Sequence, residues 1–153
     1  MATIGKPSGA NLFLAEIEIE VLAWPGVTAH PHRFGGIELR FGKPEVGHIH
    51  PEGIIDIPFT RRVRDLLLAE GKVERHHVLP ESGRIRFRVL EQQEIPYAVW
   101  LLRLSYLRYA VRSKLPVVQK KAFDAELARL TADGLYSALA GPGAGEKPEV
   151  SSQ

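Results

Sequence analysis

The apolar positions of this chain change period along its length, and the changes mark out helices and strands. Across 11–23, Leu12, Leu14, Ile17, Val21 and Leu22 approximate a helical stripe, while Glu16, Glu18 and Glu20 also alternate with Ile17, Ile19 and Val21 at period two. The helix is the preferred reading, with Asn11 as its cap and Trp24-Pro25-Gly26 as its stop. From His32 to Phe59 the period is that of strands, punctuated at Gly35-Gly36, Gly42-Lys43-Pro44 and Pro51-Glu52-Gly53. This predicts a three-stranded meander. A three-residue turn at 42–44 pairs position 38 with position 48, and a second tight turn pairs Ile49 with Ile55 and His48 with Asp56. The register sends Ile49, Ile55, Ile57 and Phe59 to an apolar face and His48 and His50 to a polar one. A slip of one residue would exchange the faces.

Thr60 is placed to cap a helix over 61–70, with Val63, Leu66 and Leu67 inward and Gly71 just past its end. Two more strands are predicted, over 75–79 and 84–90, the second alternating Ile85, Phe87 and Val89 with Arg84, Arg86 and Arg88. Pro96 fits the first turn of a long helix through 112, Leu115-Pro116 breaks it, and a last amphipathic helix occupies 117–139. The expected fold is α+β: an antiparallel sheet of about five strands with helices packed on one face, in the order α-βββ-α-ββ-α-α. The domain core is expected over 11–112, a helical extension over 113–140, and flexible segments at 1–10 and 141–153. The C-terminal segment reads GPGAGEKPEVSSQ, too poor in apolar residues to offset its ordering entropy.

At 153 residues one core is expected. The absence of cysteine excludes disulfides, thiolate metal sites and cysteine nucleophiles. The net charge of +2 conceals a division: 1–60 carries −3, 61–121 carries +8 and 122–153 carries −3. The basic middle could meet an acidic partner such as DNA. Its arginines are spread over several elements, however, so it reads as a solvated polar face rather than a nucleic-acid surface. No apolar run reaches the roughly 20 residues that span a bilayer, and the N-terminus lacks a signal-peptide pattern, so a cytoplasmic protein with no membrane partner is expected. The last two helices could serve a homodimer or cover the sheet. Trp24 and Trp100 are read as core or subunit-contact residues.

All six histidines fall between positions 30 and 77, as His30-x-His32, His48-x-His50 and His76-His77. Residues two apart in a strand share a face, so each His-x-His unit can offer two imidazoles to one ligand. In the predicted register Glu38, His48 and Asp56 form a row across three strands, with His50 beside it. Candidate catalytic residues are therefore His48, His50, His76, Asp56 and Glu38. His32, Arg75, His77 and Arg84 are candidates for binding a small-molecule substrate. An imidazole oriented by a carboxylate can move a proton near neutral pH, and Arg75 or Arg84 could stabilise an enolate formed by its loss. His48, His50 and Asp56 also make a donor set that a divalent metal accepts. Flavin, dinucleotide and phosphate-loop motifs are missing, as is a nucleophile elbow. The residues leave an enzyme, a non-catalytic binding domain and a metal-binding protein open.

The run WPGVTAHPHRFGGIELRFGKPEVGHIHPEGIIDIPFTRRVRDLLLAEGKVERHHVLPESGRIRF, residues 24–87, resembles the bacterial branch of the luciferase-domain family, with weaker agreement through Ser105-Tyr106. The fungal luciferases are similar only in Glu45-Val46-Gly47-His48-Ile49-His50 and in Gly71 followed by Glu74-Arg75-His76. The resemblance implies an α+β domain whose fungal relatives oxidise a hydroxylated α-pyrone with molecular oxygen, without a known organic cofactor. His48, His50 and His76 stand where the fungal motifs have histidine. Asp56 stands where fungal sequences tend to differ, and the membrane-anchoring N-terminal segment of those enzymes has no counterpart. The implied activity is that of an oxidoreductase of monooxygenase or luciferase type.

Overall fold

The structure is a computed structural model that describes residues 9–32 and 35–141. The expected flexible segments lie outside these residues, apart from positions 9, 10 and 141. Its elements in chain order are α1 (Gly9–Leu22), β1 (Val27–Pro31), β2 (Ile37–Phe41), β3 (Glu45–His50), β4 (Ile54–Ile57), α2 (Arg61–Ala69), β5 (Glu74–Arg75), β6 (Ile85–Arg88), α3 (Ile95–Ala110), α4 (Val117–Leu130) and α5 (Asp133–Ala140). The strands form one six-stranded sheet in the order β1-β2-β3-β4-β6-β5, antiparallel throughout. This is the α+β layout expected from the pattern, with four differences in detail.

The first is β1, which buries only Val27 and so gives no alternation to read. It is an edge strand ending in Pro31, whose missing N–H is tolerated at an edge. The second concerns the predicted strand over 75–79, which pairs only at Glu74–Arg75. Beyond it the N–H groups of Val78 and Leu79 donate to His76 Nδ1, at 3.2 and 3.1 Å, so they are spent on an imidazole rather than on a ladder. The third is the last helix, divided into α4 and α5 at Thr131 and Ala132, whose backbones are extended. Helix α1 begins at Gly9, which puts Asn11 inside it rather than at its cap.

The meander register is the expected one: Glu38 lies opposite His48, His48 opposite Asp56 and Ile49 opposite Ile55. Leu39, Ile49, Ile55, Ile57, Ile85 and Phe87 thereby share one buried face, against which α1 and α3 pack. Gly47 admits the close approach of α3, since a Cβ there would lie 2.7 Å from Leu102 Cδ2. Helices α4 and α5 add Phe123, Leu127, Leu135 and Leu139 to the same core. Thr60 caps α2, accepting from the Val63 N–H at 3.3 Å, and Gly71 follows its end at φ +81°.

Candidate functional site

The opposite face of the sheet carries a polar row, because positions in register across antiparallel strands share a side. From β1 to β5 the row reads His30, Glu38, His48, Asp56, Arg86 and Glu74. Its centre is Asp56, whose residue surface is fully inaccessible. Arg86 grips this carboxylate with two bonds, Nε to Oδ1 at 2.8 Å and Nη2 to Oδ2 at 2.9 Å. Three imidazoles then converge on Oδ2 through Nε2: His50 at 2.7 Å, His76 at 3.5 Å and His48 at 3.7 Å. Burial pushes the Asp56 carboxyl up, but the hydrogen bonds of His76, Arg86 and His50 outweigh it and hold the group well below the usual carboxylate range. It is an anion made tolerable by its donors.

The hydrogen bonds also set the protons on the rings. His76 Nδ1 accepts two backbone N–H groups, so a neutral His76 carries its proton on Nε2, toward Asp56. His50 Nε2 is a donor by the same reasoning, since its partner is an ionised carboxylate. His48 differs from both. Its Nδ1 lies 2.6 Å from Glu45 Oε2, and Arg84 Nη2 holds the other Glu45 oxygen at 2.8 Å. Burial raises the Glu45 pKa, but the bonds from His48 and Arg84 bring it down to about 2. Glu45 therefore accepts the Nδ1 proton, and neutral His48 keeps a lone pair on Nε2. Two arginine–carboxylate pairs thus orient the rings: Arg84–Glu45 turns His48 into a base, and Arg86–Asp56 gathers donors around it.

Glu45 joins this face through a β-bulge. A regular ladder from Glu38–His48 would set Glu45 opposite Phe41, on the apolar side. The register instead shifts between Leu39 and Arg40, so Glu45 lies opposite Arg40. The fully buried Ser105 hydroxyl of α3 donates to the Val46 carbonyl at 2.7 Å, holding the irregular stretch in place.

The structure therefore brings His48, His50, His76 and Asp56 together and adds His32, which stacks on His48 at 4.2 Å and meets His50 edge-on at 6.2 Å. Arg84 reaches the centre through Glu45. The remaining candidates sit aside. Glu38 stays in the row, but its carboxylate takes Arg40 Nε at 2.8 Å. Arg75 is exposed and donates to the Pro80 carbonyl at 3.0 Å. His77 is exposed and stacks on His76 at 5.6 Å. Glu45 and Arg86 are not among the candidate site residues of the sequence, where Glu45 figures only as the first residue of the Glu45–His50 motif and Arg86 only in the arginine stripe. The signal for Arg86 was its alternation with Ile85 and Phe87, but placing it on Asp56 requires the pairing of β4 with β6 across α2 and β5.

A divalent ion has candidate ligands in His48, His50 and Asp56, whose ligand atoms lie within 4.8 Å of one another. A hollow of about 210 Å³ reaches His50 from the α1 side, between Leu14, Gly35, Ile37 and Pro51. Of the basic segment, Arg64, Arg84, Arg86, Arg88 and Arg103 pair with carboxylates, and Arg108 and Arg112 donate to carbonyls. Among the described residues no helix is long and apolar enough to cross a membrane.

The fold and site define a class: an antiparallel α+β sheet whose polar face carries a histidine–carboxylate centre. The family model for the Luciferase domain matches residues 43–105, the stretch that holds every residue of the centre except His32. This is the family to which the sequence motifs point, and the match runs from the turn before β3 through β4, α2, β5 and β6 into α3. No curated protein and no solved structure matches the chain.

Proposed function

We propose that this chain is a luciferase-like, oxygen-dependent enzyme that deprotonates an acidic hydroxyl on a small aromatic or pyrone-like molecule at His48. The observation that carries this reading is the 2.6 Å bond between Glu45 and His48 Nδ1, which makes Nε2 the basic nitrogen of the centre. In the reaction the substrate O–H bond breaks, its proton passes to Nε2, and its electron pair stays on the organic molecule as an enolate. The imidazolium so formed lies between two anions, Glu45 at Nδ1 and Asp56 Oδ2 at 3.7 Å from Nε2. The electron-rich enolate is the species that molecular oxygen, the co-substrate implied by the family, would oxidise. His32, stacked on His48, supplies a flat surface beside the base. Arg84 acts here as a positioning residue through Glu45.

Oxygen uptake with a panel of hydroxylated pyrones and phenols tests the reading. Turnover by the wild type and a loss of roughly 10²–10⁴-fold in His48→Ala is the expected result, the usual range for a general base. Glu45→Gln should lower turnover and displace its pH profile. Failure of the wild type to bind or oxidise any compound, or full activity in His48→Ala, overturns it.

A divalent metal centre on His48, His50 and Asp56 is the second reading, favoured by the convergence of one atom from each within 4.8 Å. It stands second because Asp56 Oδ2 already receives Arg86 and His50, both of which an ion would have to displace. Elemental analysis of untagged protein separates the two. One equivalent of metal, lost in His50→Ala, selects the metal centre, and metal-free active protein removes it.

A further inference from the structure

A cavity of about 730 Å³ lies in the helical layer and uses none of the histidines. Its walls come from α1 and the turn after it (Glu16, Glu20, Trp24), from α3 (Trp100, Arg103) and from α4 (Glu126). Ile95, Val99 and Leu130 complete an apolar lining. The volume is that of a small-molecule site. Trp24 and Trp100, expected in the core or at a subunit contact, are half-buried, pack against the core and also wall this space.

Its charge is unbalanced. The one lining cation, Arg103, is consumed by Glu126, to which it donates two hydrogen bonds at 2.7 and 2.6 Å, and its guanidinium already lies over the Trp24, Tyr106 and Phe123 rings. Glu16 and Glu20 have no hydrogen-bond or ion-pair partner among the described residues. They stand four apart on α1, where like charges repel. Trp100 spends its sole donor on the Leu130 carbonyl at 3.0 Å and packs on Tyr97 at 5.3 Å between ring centroids, so what it offers the cavity is ring surface. An indole face attracts a cation, and so do two carboxylates without a counter-ion.

We infer that this cavity binds a small organic cation with an apolar body, a quaternary ammonium or protonated aromatic amine, its charge beside Glu16 and Glu20 and its body against the indoles. An anion would face the two carboxylates, and a neutral ligand would leave them unbalanced. The inference is independent of the histidine centre and stands or falls separately from it.

Both tryptophans of the chain line the cavity, so intrinsic tryptophan fluorescence of the full-length protein reports on this site alone. The titrants are benzyltrimethylammonium, neutral benzyl alcohol and anionic benzoate. The cation should give a saturable change and bind roughly tenfold tighter than benzyl alcohol, the span that a cation–π contact with added charge supports. Glu16→Gln/Glu20→Gln changes two exposed positions, so the variant should fold as the wild type by circular dichroism and lose most of that preference. Equal binding of the neutral compound, tighter binding of benzoate, no saturable change with the cation, or an unchanged preference in the double variant each overturns the proposal.

Discussion

The two faces of the sheet are equally dry at their centres and are held by different physics. On one, Ile55 and Ile57 are fully buried beneath α3, and their contribution scales with the apolar area removed from water. On the other, Asp56 is just as inaccessible, yet it is stable there only because Arg86, His50 and His76 point donors at it. The apolar face is non-directional and forgives small changes of shape. The polar face counts donors and acceptors, so a change that preserves volume can still break it.

Asp56→Asn should have the largest effect, although it hardly alters shape. It removes the anion that balances buried Arg86, and loss of one partner of such a pair costs about 3–5 kcal/mol. Urea denaturation checks this; a cost under about 1 kcal/mol would mean that the two faces do not differ as argued. Acid should come next. Glu45 titrates at about 2 in the fold against about 4.3 in an unfolded chain. Because the folded value is the lower one, its stabilisation is complete above about pH 5 and is lost as pH falls toward about 2, up to roughly 3 kcal/mol. Asp56, also depressed, adds to the same slope. Unfolding free energies from about pH 5 to pH 2 should therefore fall steeply in the wild type and more gently in Glu45→Gln. The smallest effect belongs to the apolar face: Ile55→Val removes one buried methylene and should cost about 1 kcal/mol in the same denaturation assay, leaving the turnover proposed at His48 intact.

Much of this contrast was legible before any coordinates. The turns at 42–44 and 51–53 are short, and a short antiparallel turn fixes which residues face each other, so the His48–Asp56 pairing and the separation of Ile49 from His48 followed from spacing. The helix cap at Thr60 and the stop at Gly71 were equally local. His76 was visible as a candidate, but the strand assigned to it was too long, since its ring takes the N–H groups that a ladder would have used. Glu45 was hidden by a bulge. Period-two reading assumes an unbroken ladder, and one shift at Leu39/Arg40 moves Glu45 from the side of Phe41 to that of His48.

By itself, then, the sequence determined the α+β class, the short-range register and the gathering of histidines on one side of a meander, because each depends on residues a few positions apart. Only the tertiary structure decided which nitrogen of each ring at the centre carries its proton, that Arg86 and Glu45 complete the centre, and that three helices leave an acidic, tryptophan-walled space between them. Those outcomes rest on contacts between segments distant along the chain, such as β4 with β6 and α1 with α3 and α4. There the partner is chosen by packing the whole core, and no local pattern encodes it.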